Sequence, residues 1–149
     1  QQPNFTYTLE GRYSTYLDGE RLSKNNALRT PMDHGIFMAL SSDILPIGPM
    51  TGIYAAVTRR GMSGKPYGPE EALTVLEALE GYTRKAAHLT FEENIKGTIE
   101  AGMLADLIVF ADNPLTIQQE ELRTLAVEQT WLGGKLVYER SAKSDESTP

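Results

Sequence analysis

The chain has 149 residues, 40% hydrophobic and 23% charged, the size and balance of one soluble globular unit. Its net charge of −6, with no local Lys/Arg stripe, disfavours a nucleic-acid partner, and the absence of cysteine excludes disulfide frameworks and thiolate metal sites. No apolar run approaches the ~18 residues of a membrane helix and no charged-then-apolar leader is seen, so no membrane partner and a cytoplasmic location are the expectations.

Gln1 to Phe5 lacks an initiator Met and reads as the middle of a folded protein. Residues 6–22 are polar, carry turn signals at Gly11 and Asp18-Gly19, and read as a long loop. A short helix is expected between Ser23 and His34, capped by Ser23 and limited by Pro31. Ile36 to Leu40 is apolar without alternation, the pattern of a strand covered on both faces in a parallel sheet. A turn of buried helix is the other reading, but the run is short and bounded by Gly35 and Ser41-Ser42-Asp43. Thr51 to Val57 reads as a short amphipathic stretch, and residues 61–68 as a flexible connection.

The clearest helix starts at Thr74, where Thr74 and Glu77 form a capping box and Val75, Leu79, Tyr82, Thr83, Ala86 and Ala87 share one face. After Glu93 the period becomes strand-like. Lys96–Ile99 and Leu107–Phe110 read as strands, and Val127–Leu132 and Lys135–Tyr138 as a hairpin about Gly133-Gly134. The expected organisation is an α/β segment over 1–92, a small β unit over 93–139 and a structureless tail over 140–149.

Asp43 is the sharpest candidate residue. A carboxylate after a buried strand either caps the loop through backbone N–H groups or belongs to an active site.

Several stretches, in order, resemble the C-terminal part of a metal-dependent amidohydrolase of family 3, in the branch that includes N-substituted formamide deformylases. Gln2-Pro3 resembles the close of the seventh barrel strand, and Gly35 to Leu45 resembles strand eight with its Ser-Asp motif. Gly52 to Arg60 resembles the segment that follows, and the Thr74 helix resembles the one that ends the barrel. Lys96-Gly97-Thr98-Ile99 running on to Ala105-Asp106-Leu107-Ile108-Val109 is similar to the signature of the appended β-sandwich. Thr130-Trp131 with Gly133-Gly134-Lys135 resembles its final hairpin.

The resemblance implies the end of a (β/α)8 TIM barrel, from strand seven to helix eight, followed by a small β-sandwich. It implies that Asp43 contacts a divalent metal, zinc in the leading expectation, and is catalytic, taking a proton from the activated water and passing it to the leaving amine. Pro46 and Pro49 would stiffen the loop around it. The strands that carry the family's histidine ligands have no counterpart here, so tight metal binding by this chain alone is not expected.

Arg59 and Arg60 could grip a substrate carboxylate, although a solvated pair is the more common reading. Arg21 and Arg29 receive the same weighing. His34 and His88 match no ligand position and read as capping or surface residues, and Asp106 as a turn residue bonding to backbone.

The expected function is therefore the C-terminal part of a hydrolase acting on a small molecule with a non-peptide, amide-like C–N bond, inactive alone. The alternative is a non-catalytic binding or scaffold domain derived from such an enzyme. It would self-associate, forming a homo-oligomer through the exposed barrel edge.

Overall fold

The computed structural model describes residues 1–43 and 48–141. Its central element is helix α5, Pro49–Thr58, which in the order of the chain follows α1 (Asn4–Thr8), α2 (Glu10–Tyr16), α3 (Gly19–Ser23) and α4 (Arg29–Asp33). Pro49 suits the first helical turn, where an N–H would have no partner in the helix. Gly52 to Val57 are buried without interruption, so α5 is covered all round rather than amphipathic. Its cover comes from α1, from α6 (Val75–Tyr82) and from a 3-10 turn over Gln119–Thr124. Leu28, Met38, Leu40, Leu73, Ala78 and Leu122 join its Ile53 in the core.

The capping box at Thr74 is present as read from sequence, with Thr74 Oγ1 accepting from the Glu77 N–H and Glu77 accepting from the Thr74 N–H. The helix breaks at Thr83 and resumes as α7, Arg84–Leu89. Arg29 reaches across from α4 and donates to both Glu77 oxygens, at 2.8 and 2.6 Å.

Residues 6–22 form helices, not a loop. These helices are short and their buried positions include polar Asn4 and Thr6, so the 3.6-residue apolar period that would mark them is missing. Ser23 ends α3 instead of capping the next helix, and the chain turns through Asn26 in a left-handed conformation before α4. Pro31 sits within α4's first turn, where its lost N–H costs nothing.

The expected buried strand at Ile36–Leu40 is extended chain outside the sheet, with Met38 to Leu40 buried but Ile36 and Phe37 half-exposed. An apolar run signals burial but not how many neighbours provide it. Here Gln1 lies on one side: its nitrogen donates to the Ala39 carbonyl and its carbonyl accepts from the Ser41 N–H, both at 2.9 Å. That alternation is the bonding pattern of parallel strands. On another side the Leu40 N–H donates to the Gly81 carbonyl at 3.0 Å.

The sheet has three antiparallel strands in the order β1 (Leu107–Phe110), β2 (Val127–Leu132), β3 (Lys135–Glu139). Leu107 lies opposite Trp131 and Ile108 opposite Thr130. Gly133 and Gly134 both have positive φ, which the two-residue hairpin between β2 and β3 requires, and Asp106 accepts from the Gly133 N–H at 2.7 Å. The expected strand at Lys96–Ile99 is a series of turns, because Gly97 takes φ +101 against α7. Between β1 and β2 the chain dips back into the helical core. Leu122 is fully buried there, and the Arg123 guanidinium donates to the Tyr7 hydroxyl at 2.8 Å while lying over the Tyr7 and Tyr54 rings.

Two outcomes follow from this packing. Leu122→Ala should destabilise the chain by about 2–5 kcal/mol in urea unfolding followed by circular dichroism, since it opens a cavity beside α5. The bonds from Arg29, opposed by partial burial and helped by Thr74, hold the Glu77 carboxyl at about 2, below its ordinary 4.5. A carboxylate depressed in the folded state stabilises above its unfolded pKa, and that contribution is lost as pH falls through the folded value. The urea midpoint should therefore drop between about pH 5 and pH 2, and drop less steeply in Glu77→Gln.

Candidate functional site

Asp43 ends the extended segment and takes φ +62, a left-handed conformation that Asp tolerates better than most residues. The two carbonyls before it are held by side chains from distant elements. Asn4, wholly buried on α1, donates its Nδ2 to the Ser42 carbonyl at 2.7 Å. The Tyr82 hydroxyl, from α6, donates to the Ser41 carbonyl at 3.3 Å. Burial pushes the Tyr82 hydroxyl up to about 12, with a hydrogen bond to Ser42 pulling the other way, so it keeps its proton as a donor. The same ring lies across Gly52 of α5, where an added Cβ would come within 1.8 Å of the hydroxyl. The chain is thus fixed up to the residue that presents the carboxylate.

The Asp43 side chain is exposed, and among the described residues it makes no hydrogen bond or ion pair. The capping bonds considered from sequence are not seen among those residues. Residues 44–47, with the expected stiffening at Pro46, lie outside them.

Among the described residues no three or more His, Cys, Asp or Glu side chains come together to hold a metal ion. Asp43 therefore offers one oxygen ligand rather than a site. His34 caps α4, its Nδ1 lying 2.8 Å from the Thr30 carbonyl. His88 pairs with Glu93 at 3.3 Å and packs on the Phe37 ring.

Arg59 is not a solvated residue. It is fully buried at the left-handed end of α5, and it donates to the carbonyls of Tyr67, Gly68, Asn26 and Asn25 at 2.9–3.2 Å. Burial pulls its pKa down and the nearby Glu71 and Glu70 pull it up. Gly68 is part of this junction: it has φ +61, and a Cβ there would lie 1.8 Å from the Ser23 carbonyl oxygen. Glu71, also buried, accepts from the Leu28 and Thr30 N–H groups and from the Thr30 hydroxyl. Burial would push its carboxyl up, but those bonds outweigh it and the pKa lies below the ordinary value. Arg60 is exposed and bonds to the Gly64 carbonyl at 2.8 Å. No described contact joins either arginine to Asp43.

Sequence reasoning missed Asn4 and Tyr82. Their bonds span 38 and 41 residues, and no local pattern marks such a contact.

Over most of its length this mixed α/β chain matches a known family. The model of the amidohydrolase family matches residues 2–138, and the chain belongs to that family. Among its relatives, YtcJ of Bacillus subtilis (strain 168), named as an amidohydrolase, is 34% identical over 145 residues, covering 94% of this chain and 27% of YtcJ. An N-substituted formamide deformylase of Arthrobacter pascens is 39% identical over 117 residues, covering 76% of this chain and 21% of the enzyme. The chain thus spans about a quarter of the length of the curated relatives it matches. An amidohydrolase structure from Thermotoga maritima MSB8 aligns with a TM-score of 0.54 at 20% identity, covering 73% of this chain and 24% of that one, a likeness of fold.

The two arginines should separate in a stability measurement. Arg59→Met leaves buried carbonyls without donors and should cost roughly 3 kcal/mol or more in urea unfolding. Arg60→Met, on the surface, should stay within about 0.5 kcal/mol.

Proposed function

We propose that this chain supplies the closing strand and helix of a (β/α)8 barrel, with part of the following β-sandwich, to a metal-dependent hydrolase of a non-peptide C–N bond. The observation that carries the reading is the placement of Asp43. It stands at the carboxyl end of an extended segment that is bonded to Gln1 in the manner of parallel strands and anchored by Asn4 and Tyr82. In barrels of this kind, groups at the carboxyl ends of strands converge on one mouth.

A divalent ion, zinc in the leading case, supplies when bound a Lewis acid that brings a water's pKa toward ~7. The residues present fit that role as one contributor: an exposed aspartate at the end of an anchored segment can give one oxygen to an ion whose other ligands come from elsewhere. Asp43 then accepts a proton as water attacks the carbonyl carbon and returns it to the departing nitrogen, so that the amine leaves neutral. Asn4 and Tyr82 hold the main chain from which it acts. The name of the Arthrobacter relative suggests small amides of the N-substituted formamide class as substrates. Alone, one carboxylate neither fixes a metal tightly nor orients a nucleophile, so the chain by itself is inactive in this reading.

Zinc incubation followed by desalting and metal analysis should leave no stoichiometric zinc on the chain or on Asp43→Asn. Stoichiometric zinc that disappears with Asp43→Asn would show a self-contained site and overturn the reading of an incomplete one. In an enzyme whose barrel is complete and ends in this sequence, Asp43→Asn should lower kcat by about 10²–10⁴-fold, and unchanged kcat would remove Asp43 from the chemistry.

A further inference from the structure

The pairing of Gln1 with the extended segment fixes where the next residue stands. The Gln1 nitrogen bonds to the Ala39 carbonyl and its carbonyl to the Ser41 N–H, so Gln1 lies beside Leu40 and Gln2 beside Ser41. Met38 and Leu40 turn toward the helices. Both belong to the buried core, and a Cβ on Gly81 of α6 would lie 2.6 Å from Leu40 Cγ. Side chains alternate along extended chain, so Ser41, and Gln2 beside it, face away from the helices. Burial agrees: Ser41 is exposed and Gln2 half-buried, whereas Pro3, one residue on, is fully buried. Neither the Gln2 carboxamide nor the Ser41 hydroxyl makes a hydrogen bond among the described residues. Pro3 then caps α1, so Gln2 ends its strand as Asp43 ends the neighbouring one.

We propose that Gln2 binds substrate in the same site, its Oε1 accepting the N–H of the scissile amide, and that it thereby selects secondary amides over esters. The proposal rests on the hydrolase reading above, in which the carbonyl oxygen goes to the Lewis acid and the nitrogen departs toward Asp43. The N–H is then the polar group of the reacting amide that still needs a partner. Gln2 stands one strand spacing, about 4.8 Å, to the side of Ser41, and Asp43 follows two residues further along. Side chains at neighbouring strand ends converge on one mouth, which brings the carboxamide to the nitrogen that Asp43 serves. A carboxamide suits the place because it is an acceptor without charge, so it adds no second base beside Asp43. An ester has no N–H and would leave that acceptor unpaired, the kind of loss by which hydrogen-bonding sites discriminate.

The test compares N-butylformamide with butyl formate as substrates of an enzyme whose barrel is complete and ends in this sequence. Gln2→Met keeps the length of the side chain and removes its carboxamide. It should lower kcat/KM for the formamide by about tenfold or more, the worth of one hydrogen bond at a reacting group, and leave the formate within about twofold. Hydrolysis of the ester by the same variant shows that it is folded and that Asp43 still works. Equal losses on both substrates would make Gln2 merely structural, and no loss on either would remove it from the site; each result overturns the proposal while leaving the hydrolase reading in place. An unaltered enzyme that cleaves neither substrate would remove that reading, and this proposal with it.

Discussion

Helix α5 has no face that water could satisfy, and the surrounding structure is arranged to cover it. Six consecutive residues, Gly52 to Val57, are buried, and a helix apolar all round is stable only when other elements close over every side. Three distant parts of the chain do so: α1 from the beginning, α6 from the middle, and the Gln119–Thr124 turn from between two sheet strands. The last brings Leu122 into the core and lays Arg123 over Tyr7 and Tyr54, tying the strand-bearing part of the sequence to its helical part. At the far end of α5, Arg59 gathers carbonyls from the 25–26 and 67–68 turns and fixes how the chain leaves the helix.

The same arrangement positions Asp43. Tyr82 is on α6 and Asn4 on α1, both packed on α5, and each bonds to a carbonyl of the segment that carries the aspartate. Gly52 lets the Tyr82 ring lie close to the α5 backbone. A change in the covering of α5 would thus be transmitted to the backbone before Asp43 through two hydrogen bonds. Holding any functional side chain in place has this requirement: its backbone must be set by neighbours that are themselves packed.

The sheet is covered less well than the helices. Strand β3 is exposed throughout, and Ile108, Val109, Val137 and Tyr138 are each close to or above half-exposed. Ile99 and Phe91 are almost wholly exposed. Exposed apolar side chains in such number are usual where another chain segment or a partner packs. It accords with a chain that spans about a quarter of the length of its curated relatives.

Local chemistry was legible in the sequence wherever one short stretch contained all the partners. Thr74 and Glu77 are three residues apart, so their capping box could be read directly, and Gly133-Gly134 announced its hairpin because few residues accept two successive positive φ values. Asp106 was recognisable as a turn residue, and ordered motifs from Gln2 to Tyr138 carried the family. The helices at 4–23 were hidden because α1 buries polar Asn4 and Thr6 while α2 and α3 bury no residue fully, so no apolar period marks them. Ile36 to Leu40 showed its hydrophobicity but not that Ile36 and Phe37 would stay half-exposed. The sequence by itself determined the capped helix, the hairpin, the family and the candidate carboxylate at Asp43. Only the tertiary structure decided that Arg59 is a buried bracket, that Leu122 belongs to the helical core, and that Asn4 and Tyr82 hold the backbone before Asp43. Those contacts join residues far apart in the chain, and their energy exists only once α5 has been enclosed.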